Sequence, residues 1–545
     1  MKKSKKWLSL VLAVAMTASL LAGCTSTAKD TTAAETTVAG AEATAAGAEA
    51  TAAPAEKISI SVAGGSEDSM DINVASSAYL AGLSACRHVY EGLYKLDAKG
   101  EVVLGQASAV DVSEDGLTYT FTLRDDITWS DGVAVTAADF VYGWQFLKDT
   151  AKDYSELLSM ISSAEAKDDK TIVVTLAYPC SYLPSVLAFP SAYPVRADIV
   201  AKFGEAYATD PEKAIYNGAY ELTSWAHQSE IVLTARPDYY DYAAITVGKI
   251  SWMLSSEEST TLASFKSGDI VYSDSYPQEE AASLKDNGLH FTSGFNNYCI
   301  MFNVRPDGPA VLQDAKVREA LALAVDRNRV VSIRDLGDEL GTTYTPSGIT
   351  NKAGEDFTST VTPWWSTDDY AANCVKAKAL LAEAGYADGK DFPALTYIVN
   401  NDSRKEIAEA VVNDWKEVLG IESVTVQISD AFFTERSNGD YDIAYFGWYM
   451  DYIDLSNMLY TMTTASLNGA GYSSAEYDAA YSAAISATDE TAQWTAYDEC
   501  EAILAKDLPV APLLHSMNTY LFNDTDYDGL VYYCGNYYFG FVTAK

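Results

Sequence analysis

The chain has 545 residues, with 37 Lys and Arg against 76 Asp and Glu and a formal net charge of −39 at pH 7. Acidity on this scale argues against a nucleic-acid partner, whose phosphates call for basic side chains. Charge spread along the whole length implies a solvated exterior, and the length suffices for two or three lobes with a substantial core.

Lys2, Lys3, Lys5 and Lys6 precede an uncharged, mostly apolar stretch, 7–21, that ends in the run Leu21, Ala22, Gly23, Cys24. A positive start, a short apolar centre and small residues describe a secretory signal over 1–23, shorter than a membrane span. The run ending in cysteine resembles the lipobox of bacterial lipoproteins. That resemblance implies a diacylated Cys24 and anchoring by two acyl chains to the outer face of the cytoplasmic membrane, in an extracellular or periplasmic position. An ordinary signal peptide with a chance cysteine is the alternative. Residues 24–56 are almost wholly Ala, Thr, Glu and Gly, and GAEATAA occurs at 40–46 and again at 47–53. With so little to bury, this segment reads as a disordered tether with a reach of about 30 Å.

The folded part begins near Lys57. Tyr119, Phe121 and Leu123 alternate between the turn pairs Asp115-Gly116 and Asp131-Gly132, which predicts a half-buried strand. Residues 171–179 read as another strand. Apolar spacing predicts helices over 316–324 and 374–384, and a third over 403–419 through Ile407, Val411, Trp415, Val418 and Leu419, with Ser403 and Glu406 as its capping box. A strand follows at 423–429. The mixture is α/β, without a solenoid repeat.

Six cysteines remain after Cys24, namely Cys86, Cys180, Cys299, Cys374, Cys500 and Cys534, and none forms a CxxC pair. Disulfides and buried free thiols are both open to an exported protein. No GxSxG, HExxH or phosphate-binding glycine loop occurs, and the four histidines are not spaced as a metal pair. The segment 524–529, DTDYDG, starts like a calcium loop but has Gly535 where the bidentate acid belongs, and 111–116 has Thr122 there. Acidic turns are the plainer reading. No catalytic residue, metal site or cofactor is expected.

The stretch YFGWYMDYIDLS, 445–456, sets Asp451 among Tyr445, Phe446, Trp448, Tyr449 and Tyr452. A carboxylate walled in by rings is disfavoured unless a cation pairs with it. Asp451 could instead cap a helix running through Leu455 to Tyr460, although Asp454 is better placed for that.

Five blocks, at 89–145, 193–241, 302–331, 380–386 (LLAEAGY) and 441–459 (YDIAYFGWYMDYIDLSNML), resemble in order the family 5 extracellular solute-binding proteins, above all their oligopeptide-binding members. The resemblance implies an α/β fold of the two-lobe, type II periplasmic-binding-protein kind with an extra inserted subdomain. One lobe would comprise 57–91, 214–300 and 516–545, the inserted subdomain 92–213, and the other lobe 301–515. It implies a monomeric receptor that captures peptides and delivers them to the permease of an ABC importer. The motif GWxxDY would place the peptide's α-ammonium on Asp451, beside Trp448, Tyr449 and Tyr452. Ligand backbone would pair with Ser76, Ser77 and Ala78 on one side and with Phe446, Gly447 and Trp448 on the other, as in strand addition. Gly447 would admit that backbone, or else mark a bulge. Oligopeptide-binding relatives carry an arginine two residues before the motif's glycine; here that position is Tyr445. Arg404 and Arg436 are therefore candidates for the peptide's carboxylate, with a solvated surface position as the alternative for each. Tyr298, Trp364, Trp365 and Trp415 are candidate pocket walls, although the core reading is favoured for Trp415, which lies on the apolar stripe of its helix. Other cargoes of the same fold, such as oligosaccharides or nickel and haem complexes, and an exported hydrolase or adhesin, are the rival readings.

Overall fold

The computed structural model describes residues 56–545, apart from 67–68, 78, 151–153, 155–156, 256 and 467–469. The signal 1–23, Cys24, the tether up to residue 55, and Ala78 lie outside the described residues.

Three sheets organise the fold. The largest has seven strands in the order Leu289–Ser293, Met517–Phe522, Tyr272–Ser273, Ile58–Ala63, Val247–Met253, Glu230–Ala235 and Tyr220–Ala226. Its central strand, Ile58–Ala63, runs parallel to both neighbours, and its inner residues Ile60, Val62 and Ala63 are buried. A second sheet has six strands, Glu339–Leu340, Val510–His515, Asn296–Phe302, Ile443–Tyr449, Leu395–Val399 and Val424–Ile428. A third has four antiparallel strands, Ala107–Val112, Thr118–Leu123, Thr171–Leu176 and Ile161–Ala166. It is inserted in the chain between the first and last parts of the seven-stranded sheet.

The chain passes between the two large sheets twice. Asn296–Phe302 is buried at every position and lies wholly in the second sheet, so the first crossing falls at 294–295, earlier than the expected boundary after 300. The return lies at Ser516, between Val510–His515 and Met517–Phe522. The two crossings touch: the Gly294 N–H donates to the Ser516 carbonyl at 3.0 Å, and the Ser516 hydroxyl donates to Asn296 Oδ1 at 2.6 Å. A β-carbon at Gly294 would stand 2.5 Å from that carbonyl, which only glycine avoids.

Local elements follow the sequence pattern, with shifts at their ends. Phe121 and Leu123 are buried and Tyr119 half-buried on Thr118–Leu123, flanked by Gly116 and Gly132 at φ 68° and 81°. The helices are Ala315–Leu323, Tyr370–Glu383 and Asp402–Asp414. The last begins before the predicted start, because the Asn401 side chain accepts from the Arg404 N–H at 3.0 Å and so replaces the expected Ser403 cap. It ends in one π turn, Trp415–Leu419, closed by Gly420 at φ 72°.

The C-terminal segment is tied to the helix Leu80–Val89 through His88. Its Nδ1–H donates to the Ser84 carbonyl at 2.7 Å, and its Nε2 accepts from the Phe539 N–H at 2.9 Å. Both ring nitrogens are committed in the neutral form, and burial pushes the imidazole down to about 4. The six cysteines among the described residues are free thiols, five of them buried. Among the described residues no helix is long and apolar enough to cross a membrane.

Candidate functional site

The site is built around the strand Ile443–Tyr449. On one side it pairs along its whole length with Asn296–Phe302; on the other, only Ile443 and Ala444 pair, with Leu395–Val399. The second edge is unpaired in the sheet from Tyr445 onward. The Met450 N–H donates to the Phe295 carbonyl at 3.0 Å, so by the alternation of a strand the backbone groups of Phe446 and Trp448 face the paired neighbour. Those of Tyr445, Gly447 and Tyr449 face the open edge. This corrects the expected trio: of Phe446, Gly447 and Trp448, only Gly447 presents its backbone there.

Gly447 sits in unbroken register opposite Tyr298, so it is no bulge. Any β-carbon on it would collide with the Tyr445 hydroxyl and approach the Asn297 carbonyl at 2.9 Å. The space over this glycine is therefore used by the chain's own tyrosine. Tyr445 packs edge-on against the buried Tyr298 at 5.1 Å, and the Arg404 guanidinium lies 4.8 Å from the Tyr445 ring and 5.1 Å from that of Tyr298. Arg404 Nε is buried without a hydrogen-bond partner, and among the described residues Arg404 forms no ion pair. Arg334, beside it, is committed to Asp338 at 2.6 Å and to the Tyr298 hydroxyl at 2.8 Å. Arg436, on the helix Phe432–Asn438, sits 5.4–5.7 Å from the rings of Phe446, Phe432 and Phe433. Burial pushes its pKa down.

Beyond Tyr449 the chain turns into the helix Leu455–Tyr460, whose cap is Asp454: its carboxylate accepts from the Ser456 N–H at 2.9 Å. That leaves Asp451 out of the cap. It opens instead onto a cavity of about 150 Å³. Tyr154, Leu157, Met160, Tyr178 and Tyr182 line one wall, all from the stretch between residues 150 and 190. Trp448, Tyr452, Asn457, Tyr460 and Tyr481 line the other. The two walls meet in a face-to-face stack of Tyr182 on Tyr452, 5.3 Å between centroids and 9° from parallel.

Asn457 organises the floor. Its Oδ1 accepts from the Trp448 indole N–H at 2.9 Å and from the Asp451 N–H at 3.3 Å, while its Nδ2 donates to Asp451 Oδ2 at 3.4 Å. No cationic side chain among the described residues pairs with Asp451. Burial, weakly opposed by Asn457, pushes its carboxyl from 3.8 up to about 6. What the arrangement offers is one half-buried carboxylate with no positive complement among the described residues.

Other expected site residues lie elsewhere. Ser76 and Ser77 form a turn, both donating their N–H to the Asn73 carbonyl, at 3.0 and 2.8 Å, so in this structure they are not a strand edge. Trp415 is fully buried, its indole donating to the Leu321 carbonyl at 2.8 Å, and is core rather than wall. Trp364 donates to Glu501 at 3.0 Å, and Trp365 to the Gly341 carbonyl at 3.0 Å under the Arg327 guanidinium. Asn457, Tyr178, Tyr182 and Tyr481 were not singled out from the sequence. Asn457 follows the polar Ser456 in the first turn after Asp454, and nothing in the sequence sets it apart from an ordinary helix-start residue. Among the described residues no three His, Cys, Asp or Glu side chains are grouped to hold a metal ion. In 524–529, Asp528 accepts from the Gly529 N–H at 2.8 Å, an acidic turn.

Comparison with known proteins sets this geometry in context. The chain is 31% identical over 458 residues to the periplasmic oligopeptide-binding protein OppA of Salmonella typhimurium, covering 80% of this chain and 83% of that one. It is 30% identical over 492 residues to a dipeptide-binding protein of Lactococcus lactis, covering 84% and 88%. The crystal structure of Haemophilus influenzae OppA in complex with RPPGFSPFR superposes with a TM-score of 0.70 at 26% identity, covering 89% and 99%. These neighbours are two-lobe, mixed α/β binding proteins, the type II fold that the sequence blocks imply. Residues 101–470 match the model of the bacterial extracellular solute-binding proteins, family 5. With that match and these relatives, the chain belongs to the bacterial extracellular solute-binding proteins of family 5.

Proposed function

We propose that this chain is a receptor that captures peptides outside the cytoplasm and hands them to an ABC importer, carrying out no chemistry itself. The observation that carries the reading is Asp451, enclosed and without a cation of its own, just past the open edge of Ile443–Tyr449. A peptide brings both complements. Its α-ammonium pairs with Asp451, and its backbone pairs with the open edge at Gly447 and Tyr449, which recognises peptides of any sequence. Arg404 and Arg436, each without an ion pair among the described residues, are cations available to the far carboxylate. The names of the relatives, which state oligopeptide and dipeptide binding, support the same cargo.

The two large sheets and the inserted four-stranded sheet act as lobes and subdomain of a monomer that closes about the crossings at 294–295 and Ser516. Cys24, diacylated, tethers it to the outer face of the membrane. A Cys24→Ala form then takes up no fatty-acid label, and equal labelling of both forms would remove the anchor from this account.

The binding reading is tested with a double-mutant cycle. Asp451→Asn keeps the shape and removes the charge, and truncating one member of a buried charge pair costs about 2–5 kcal/mol. Affinity therefore falls roughly thirtyfold to several-thousandfold at tenfold per 1.4 kcal/mol. N-acetylating the peptide produces a similar loss on the wild type, and the two losses do not add. An acetylated peptide that binds the wild type as tightly as the free one would refute the role given to Asp451.

A further inference from the structure

The cavity at Asp451 is walled mainly by aromatic rings. Of the twelve described residues that line it, seven are aromatic and Asp451 is the only charged one. The polar groups nearest the acid already bond one another or the backbone. Asn457 Oδ1 receives both the Trp448 indole N–H and the Asp451 N–H. The hydroxyls of Tyr178 and Tyr182 lie 3.3 Å apart and serve each other, and that of Tyr481 donates to the Ser456 carbonyl at 3.3 Å.

A primary ammonium has three N–H donors. Here it meets the two oxygens of Asp451 among ring surfaces, and its third donor has to find a tyrosine hydroxyl. An alkylated ammonium carries the same charge with fewer N–H groups, or none. Its methyls spread the positive charge over a surface that suits ring faces. The volume also fits. A cavity of roughly 150 Å³ lined by apolar side chains accommodates benzene, with six heavy atoms, and a trimethylammonium head has four.

We infer that the space beside Asp451 is an aromatic cage for alkylated ammonium groups, so that the receptor takes peptides with an N-methylated amino terminus at least as well as those with a free one. This rests on the reading that Asp451 receives the ligand's amino terminus. It goes further by naming the class of amino terminus: the site reads the charge and not the N–H groups. Of the two walls, the one from Tyr154 to Tyr182 has the rings whose loss should discriminate most, since Trp448 and Tyr452 flank the acid itself.

The test uses the tightest binder from a panel of synthetic di- to hexapeptides, prepared with free, N-acetyl and N,N,N-trimethyl amino termini, and titrated calorimetrically against the mature protein. The trimethylated peptide is expected to bind within threefold of the free one or tighter, the acetylated peptide to lose at least thirtyfold, and Asp451→Asn to lose at least thirtyfold for both charged forms. Tyr178→Leu should weaken the trimethylated peptide three- to tenfold more than the free one. Tyr178→Phe, which keeps the ring and is the less disruptive change, should leave the trimethylated peptide within twofold. A trimethylated peptide more than tenfold weaker than the free one, while the free one still depends on Asp451, overturns the cage and leaves the parent reading standing. Free-peptide binding indifferent to Asp451→Asn overturns both. Equal losses for the two charged forms in Tyr178→Leu would also count against a cage.

Discussion

Glu501 and Asp451 are two enclosed acids whose surroundings answer the charge in opposite ways. Glu501, on the helix Glu490–Asp507, accepts from the N–H groups of Tyr344 and Thr345 at 3.0 and 2.7 Å, from the Thr345 hydroxyl at 2.6 Å and from the Trp364 indole at 3.0 Å. Asp451 has one side-chain donor, Asn457, at the long distance of 3.4 Å. Burial pushes both carboxyls up, and at Glu501 four fixed donors pull back. An acid that its own chain satisfies is a tie between loop and helix. One that its chain encloses and leaves short of donors is set up to meet something mobile. Asp451 is also the more open of the two, half-buried where Glu501 is 2% exposed, so exposure and the inventory of donors point the same way.

The contrast is sharpest if Glu501 is removed. Glu501→Leu leaves four donors without an acceptor in a dry interior, and stability should fall by about 3–5 kcal/mol, read from the urea midpoint. A midpoint close to wild type would mean that water reaches those donors and that the two acids are less different than their distances suggest.

Asp451→Asn should move the empty protein the other way. The folded pKa of about 6 lies above the ordinary 3.8, so the folded state binds more protons than the unfolded chain between those values, and the ionised acid weakens the fold above pH 6. Two units correspond to about 3 kcal/mol as an upper figure. The asparagine variant should therefore be the more stable at pH 7.5, with its advantage shrinking as pH falls through 6 and gone near 4. An advantage of the same size at both ends of that range would detach the effect from the Asp451 proton.

The smallest effect distinguishes Asp451 from its neighbour. Asp454→Ala removes the cap of Leu455–Tyr460 and should cost about 1 kcal/mol in the empty protein, with peptide affinity little changed. A loss of affinity matching that of Asp451→Asn would blur the line between cap and site.

Much of this was legible along the chain. Alternation placed Thr118–Leu123, apolar spacing placed the three helices, and the density of rings around Asp451 singled it out. Helix starts were misjudged where the capping side chain stands outside the apolar pattern, as Asn401 does. The direction of the open edge was not legible either, because which residues face it depends on the pairing of Asn296–Phe302, a strand far away in sequence. The wall with Tyr178 and Tyr182 had no local mark at all. Tyrosines that line a cavity and tyrosines that fill a core share one composition, and only the inserted sheet's placement assigns these two to the cavity.

The contact between Gly447 and Tyr445 also sets a limit on how this segment can change through time. While the tyrosine stands, its hydroxyl forbids any side chain at residue 447. The glycine is thus held by its neighbour two positions away, whatever the cargo. Losing the hydroxyl alone, as in Tyr445→Phe, does not lift that bar, because a β-carbon at 447 would still stand 2.8 Å from the ring carbon Cζ and 2.9 Å from the Asn297 carbonyl. A side chain at 447 therefore requires a smaller residue at 445 and a shift of the paired strand, and the two positions should be inherited, exchanged and engineered as a unit.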